Sequence, residues 1–230
     1  MTNSRERLLS QAAEDYLKAI YKLEENEESV ATTDLAKKIG TTPAATTKMI
    51  KQLAENNLVT HEPYHGVRLT ASGRRIALEI IRHHRLLELY LHRELGYGWD
   101  EVDAEAEKLE HFISEEFEDR IDKVLGYPVT DPHGDPIPTR DGAVSMRRCT
   151  PLADMEPGGH FVVLRVRDSN AEALRYMSDI GLKLETVLIL KDKQPFNGPL
   201  NITIDGVPRS IGRELAGYVF VEEVKIEEPV

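Results

Sequence analysis

Apolar residues recur at helical spacing between Ala12 and Leu23, where Tyr16, Leu17, Ile20, Tyr21 and Leu23 share a face. The acidic stretch from Glu25 to Ser29 ends that helix. A second, shorter stripe follows Thr33, with Leu35, Ala36 and Ile39 apolar and Gly40 closing the helix. Thr41 and Thr42 offer an N-cap hydroxyl and Pro43 suits a first helical position. The helix they start carries Met49, Ile50 and Leu53 inward. From Leu58 to Thr70 the pattern changes to alternation, which predicts a strand, a turn at Tyr64-His65-Gly66, and a second strand.

Residues 72–95 form a long amphipathic helix with Ser72 as its cap, and Gly96-Tyr97-Gly98 turns the chain. A second long helix is predicted within residues 99–125, ended by Gly126 and Pro128. Residues 127–150 hold Pro128, Pro132, Pro136 and Pro138 with Gly134 and Gly142, a density that predicts a linker without regular elements. Beyond it, short β-rich runs interrupted by one helix at 170–181 read as a small barrel. The expected class is α+β. Three domains are expected: residues 1–75, a helical domain with its linker over 76–146, and the barrel over 147–230.

Helix, tight turn, helix and β-hairpin is the order of a winged helix-turn-helix. The exposed face of its second helix is expected to carry Thr46, Thr47, Lys48, Lys51 and Gln52 toward base edges and phosphates, with Arg68 on the hairpin. The two long helices exceed what a small wing domain needs to cover, which points to a homodimer interface.

Charge sharpens this division. The formal net charge is −11, yet residues 1–75 hold 11 basic and 10 acidic side chains, whereas residues 76–145 hold 7 and 17. The acidity therefore lies outside the segment that reads as DNA-binding. A single cysteine, Cys149, excludes a disulfide scaffold and a cysteine-based zinc finger. No apolar run approaches the length of a membrane span, and the first residues lack the apolar core of a signal peptide, so a soluble, cytoplasmic protein is expected.

The candidate chemistry lies on the two middle helices. His84 and Glu88 are four residues apart; Glu107, Glu110 and His111 follow at i, i+3 and i+4, with Asp103 one turn earlier. On a continuous helix these last four fall within an arc of about 100°. Carboxylates stacked with an imidazole repel one another unless a cation sits among them. A solvated acidic face is the plain alternative.

The segments EDYLKAIYKLEE, TTPAATTKMIKQLAENNLV, RHHRLLELYL, VDAEAEKLEHFIS and DPHGDPIP together resemble the diphtheria toxin repressor family of metal-dependent transcription regulators, in particular its manganese-responsive type. The likeness covers the first 140 residues, and the C-terminal barrel is similar to the SH3-like, FeoA-like domain of longer members. The resemblance implies a metal-dependent DNA-binding repressor of metal-uptake genes, acting as a homodimer on a palindromic double-stranded operator. It implies metal ligands at Asp15, Glu107, Glu110 and His111, at His84 and Glu88, and ancillary ligands at Asp131, His133 and Asp168. It also places Pro43, Ala44 and Thr47 at base-contacting positions and Thr41 at a phosphate-contacting one. Iron-responsive members carry Met and Cys where this chain has Asp15 and Glu107; oxygen donors there favour Mn²⁺ over Fe²⁺. Two departures stand out: Asp103 replaces a His of the iron type, and Lys18 stands where one short manganese regulator has a carboxylate ligand.

Two other readings remain open: an iron-responsive repressor of the same family, and a metal-dependent hydrolase. Against the second, the chain has no H-E-x-x-H, nucleophile elbow or glycine-rich phosphate loop, and no enzymatic activity is expected.

Overall fold

Ser10 opens the first helix, its hydroxyl accepting a hydrogen bond from the Ala13 amide at 3.3 Å. The computed structural model describes residues 9–25, 29–62, 66–145 and 147–224. They divide into two compact units, the first comprising Met1–His84, Lys108–Glu118 and Pro138–Val144, the second Arg85–Glu107, Asp119–Ile137 and Ser145–Val230.

In the first unit, α1 (Gln11–Glu24) buries Leu17 and Ile20 against α2 (Thr32–Ile39) and α3 (Pro43–Glu55). Gly40 ends α2 with a φ of 74°, the left-handed conformation that glycine adopts without steric cost. Thr42 caps α3 and Pro43 is its first residue. Antiparallel β1 (Val59–Glu62) and β2 (Gly66–Leu69) follow in the expected hairpin, and Val30 bonds to Val67 in both directions. Of the turn expected between them, Tyr64 and His65 lie outside the described residues. α4 (Ala71–Leu95) begins before Ser72, so Ser72 lies within the helix. Thr70 does the capping instead: its hydroxyl accepts from the Gly73 amide at 3.1 Å.

The predicted long helix within 99–125 is two helices, α5 (Val102–Leu109) and α6 (Glu115–Val124). Ser114 accounts for the break, because its side chain accepts from the Phe117 amide and its carbonyl from the Glu118 amide, starting a new helix. Glu110 and His111 therefore leave the helical stripe and sit in a turn. Beside them, Glu118 meets Arg82 and His83 of α4. Burial pushes the Glu118 carboxyl up, but the His83 imidazole and the Arg82 guanidinium outweigh it and bring it to about 2.

The second unit is built on a six-stranded antiparallel sheet of β3 (Thr150–Pro151), β4 (His160–Val166), β5 (Val187–Lys193), β6 (Leu200–Ile204), β7 (Val207–Ile211) and β8 (Val219–Val224), ordered β3-β8-β4-β5-β6-β7. A register shift between Val163 and Arg165 lets Phe161, Val163 and Val166 all face the core, where simple alternation would have turned Val166 outward. α7 (Ala171–Asp179) supplies Leu174 and Met177 to that core; the short α8 (Arg213–Ala216) supplies Ala216.

Of the described residues in the segment 127–150, none is helical and only Thr150 belongs to a strand, β3, yet part of the segment is firmly held. An isolated bridge joins Thr130 to Pro136, and the Val166 amide donates to the His133 carbonyl at 2.8 Å. Gly134 makes that approach possible: with φ at 89°, a Cβ on it would lie 2.1 Å from the Leu164 carbonyl oxygen. Among the described residues no helix is long and apolar enough to cross a membrane. We expect Gly134→Ala to destabilise the protein by at least about 2 kcal/mol in urea unfolding, whereas Gly158→Ala, with open space around it, costs less.

Candidate metal centre

Among the described residues, two groups of three donors each lie within a single unit. In the first, α1 delivers Glu14, Asp15 and Lys18 from consecutive turns, and the α5–α6 break delivers Glu110 and His111. His111 lies between two acids, its Nδ1 donating to Glu14 at 2.6 Å and its Nε2 to Asp15 at 2.8 Å. Hydrogen bonds to Asp15 and then to Glu14 raise its pKa to about 9 against the opposing effect of burial. Glu110 is fully buried, with both carboxylate oxygens 2.7 Å from Lys18 Nζ and Oε2 accepting from His84 Nδ1 at 2.5 Å. Burial works to raise its pKa, but the His84 hydrogen bond and the Lys18 charge outweigh it, and the carboxyl lies below its ordinary value. Its carbonyl accepts from His83 Nδ1 at 3.1 Å, which fixes the turn.

Donor atoms of Asp15, Glu110 and His111 all lie within 4.8 Å of one another. The edges from His111 Nε2, 2.8 Å to Asp15 and 3.4 Å to Glu110, are close to the ~3 Å separation of neighbouring ligands around a small octahedral cation. Two hard oxygens and one imidazole thus fit a divalent first-row ion.

In the second unit, Glu88 of α4 meets Asp131 and His133 of the proline-rich segment, again within 4.8 Å and all buried. His133 Nε2 donates to the Trp99 carbonyl at 2.7 Å, leaving Nδ1 aimed at Glu88 Oε1, 3.7 Å away, with no hydrogen-bond partner. Metal-binding histidines are oriented in this way, one nitrogen held by a carbonyl and the other presented. Asp131 Oδ1 accepts from the His133 and Asp135 amides, so the tight loop itself points the carboxylate inward. Burial, with the Glu88 and Asp135 carboxylates, pushes Asp131 up to about 8 despite His133 and Arg85. The cluster is short of positive charge, and its donors also fit a divalent cation.

The remaining expected ligands, His84, Glu107 and Asp168, are not members of these two groups of three. Glu107 is exposed on α5 and belongs to the second unit, whereas Glu110 and His111 belong to the first. Asp168 sits in the loop after β4, where its charge acts on His133 without joining the close cluster. Sequence reasoning passed over Glu14, Arg85 and the Trp99 carbonyl. Glu14 had left a trace: with Lys18 it shares a helical stripe with apolar Leu17 and Tyr21, an odd place for charge.

On α3, Pro43, Ala44, Lys48 and Lys51 are exposed, Thr47 is half-buried with its hydroxyl bonded to the Pro43 carbonyl, and Arg68 is exposed on β2. Thr41 is half-buried just before the cap. Thr46 corrects the expectation: it is fully buried, its hydroxyl 3.2 Å from that of Tyr16 on α1. The inward stripe of α3 runs Thr46, Ile50, Leu53, so Thr46 cannot face a groove.

A raised His111 pKa stabilises the folded state below the unfolded value of about 6.5, and that contribution is lost as pH rises through about 9. Metal-free protein should therefore lose stability toward urea between pH 6.5 and 9.5, and Glu14→Gln should flatten that decline.

Comparison with known proteins matches three segments of the chain. Residues 8–67 match the iron dependent repressor N-terminal DNA binding domain, residues 70–139 its metal binding and dimerisation domain, and residues 150–223 the FeoA domain. The iron-dependent repressor IdeR of Mycobacterium tuberculosis is 35% identical over 130 residues, which is 56% of this chain and 56% of IdeR. The transcriptional regulator MntR of Geobacillus kaustophilus is 32% identical over 114 residues, 50% of this chain and 80% of MntR. The chain thus spans little more than half the length of the IdeR relatives it matches. A solved manganese-dependent transcriptional repressor in complex with manganese is 41% identical, covers 92% of this chain and 100% of its own, and superposes with a TM-score of 0.86. With its DNA-binding, metal-binding and FeoA segments matched in that order, the chain belongs to the iron-dependent repressor family.

Proposed function

We propose that the chain is a cytoplasmic, metal-responsive transcriptional regulator, a repressor of metal-uptake genes rather than an enzyme, that binds a palindromic operator as a homodimer when Mn²⁺ is available. The observation that carries this reading is the position of α1. Its neighbouring residues Asp15 and Tyr16 face two ways: Asp15 bonds to His111, and Tyr16 bonds to Thr46 on the inner face of α3. Whatever holds Asp15 therefore sets the position of the helix on which the inner face of α3 rests, and with it the direction of the outer face.

A divalent ion, when bound, would supply the positive charge that keeps Asp15, Glu110 and His111 together. Asp15 ties α1 to the turn after α5, Glu14 orients His111 through its Nδ1, and Tyr16 passes the constraint to α3. DNA binding then no longer has to order these helices, so metal and DNA affinities rise together. Support for Mn²⁺ comes from a donor set of carboxylates and imidazole without sulfur; an iron-responsive repressor is the second reading, and replacing Mn²⁺ by Fe²⁺ in the same titration separates them. Support for a homodimer comes from Phe112, 70% exposed, and the half-exposed Phe117 nearby in sequence, both apolar and in the first unit.

Genomic fragments captured by the protein provide the operator, and fluorescence anisotropy provides the affinity. Mn²⁺ should tighten binding at least tenfold over chelator, about 1.4 kcal/mol of coupling, and His111→Ala or Asp15→Ala should remove that gain. Equal binding with chelator would overturn the metal-responsive reading. Lys48→Ala should weaken binding to all sequences alike and lower the salt slope by about one.

A further inference from the structure

Trp99 lies in the turn between α4 and α5, where its neighbours Gly96, Tyr97 and Glu101 are exposed. Trp99 itself is only 8% exposed and belongs to the core of the six-stranded sheet, with Phe161, Leu174 and Met177. Three contacts hold it there. The indole Nε1 donates to the Leu174 carbonyl of α7 at 3.1 Å. The main-chain carbonyl accepts from His133 Nε2 at 2.7 Å. The His133 imidazole also stacks on the indole, with centroids 6.0 Å apart and planes 29° from parallel. His133 is fully buried, and its own carbonyl accepts from the Val166 amide of β4.

A carbonyl can only accept a hydrogen bond, so the nitrogen facing it keeps its proton. Trp99 thereby fixes the proton on His133 Nε2. Nδ1, directed at Glu88 Oε1 3.7 Å away, is then the nitrogen able to bind a cation. We propose that Trp99 is the positioning residue of the Glu88–Asp131–His133 site, and that its indole N–H carries the occupancy of that site to α7. This role rests on the reading of Glu88, Asp131 and His133 as ligands. The carbonyl that orients His133 and the N–H that holds α7 belong to one residue, and its buried ring keeps the two at a set separation. An ion that fixes His133 also restrains Trp99, and with it the Leu174 end of the contact. The linkage is reciprocal, so a firmly placed α7 favours the ion. Apolar packing alone cannot supply this link, because a phenyl ring fills much of the same space without a hydrogen bond to α7.

The test takes full-length His111→Ala, which lacks a ligand of the first cluster, as the parent for Glu88→Gln and Trp99→Phe. Equilibrium dialysis measures Mn²⁺ binding, and hydrogen exchange of the α7 amides is followed with Mn²⁺ and with chelator. Trp99 is the only tryptophan in the sequence, so emission reports its surroundings wherever it is retained. The parent should bind Mn²⁺ with a change in Trp99 emission that tracks occupancy and with slower exchange in α7. Glu88→Gln should lose all three effects. Trp99→Phe should still bind the ion, on the order of tenfold more weakly, and its α7 exchange should no longer respond to Mn²⁺. Parental affinity in Trp99→Phe, or α7 exchange that speeds equally with Mn²⁺ and with chelator, overturns the role of Trp99 while the ligand assignment stands. If the parent binds no ion, or Glu88→Gln binds it equally well, the ligand assignment fails and the proposal falls with it.

Discussion

Buried negative charge is the constraint on which both halves of this protein depend. Glu110 is fully buried, and Glu88, Asp131 and Glu14 are nearly so. A carboxylate removed from water must find a positive charge or a dense set of donors, or else take up a proton. In the first unit the answer is His111 and Lys18, which leave the cluster balanced but held by groups that a metal could displace or share. In the second unit the answer is incomplete. Arg85 stands 3.6 Å from Asp131, and the Asp131 carboxyl is pushed toward its protonated form. Both arrangements leave buried carboxylates whose charge a cation would compensate.

In the first unit one helix joins the charged cluster to the hydrophobic core. α1 is packed on one side through Leu17 and Ile20 into the core shared with α2, α3 and the β-hairpin. Its remaining polar face carries Glu14, Asp15 and Lys18. One rigid helix therefore belongs at once to the hydrophobic core of the DNA-binding module and to the charged cluster. The Tyr16–Thr46 hydrogen bond adds a directional contact to apolar packing that by itself would permit sliding.

The second unit holds its cluster by a different means. Asp131 and His133 come from a segment too rich in proline for helix or sheet, and their positions rest on local hydrogen bonds. The Asp131 side chain closes the turn, Gly134 allows close approach to β4, and the Arg165–Asp135 pair adds a contact to the same strand. A loop built in this way is specific without being regular, which is why its composition alone reads as a linker.

Much of this was legible in the amino-acid sequence because the signals are local. Helical spacing marked α1 to α4, Gly40 and Pro43 marked the ends of their helices, alternation marked the hairpin, and short β-rich runs marked the sheet. The spacing of acids and imidazoles marked Glu88, Glu110 and His111, though for the last two by way of a continuous helix that does not exist. What only the tertiary structure decided depends on contacts between distant segments. The break after Leu109 moves Glu110 and His111 off the helical stripe, a result of Ser114 capping a new helix rather than of apolar periodicity. Thr46 looked like a surface hydroxyl until Tyr16, thirty residues earlier, met it in the core. Glu14 and Lys18 acquired meaning only when His111 and Glu110 arrived from the other end of the unit. Local periodicity specifies which face of a helix is buried, but which charge lies opposite which is set by chain topology, and electrostatic compensation is a property of that pairing alone.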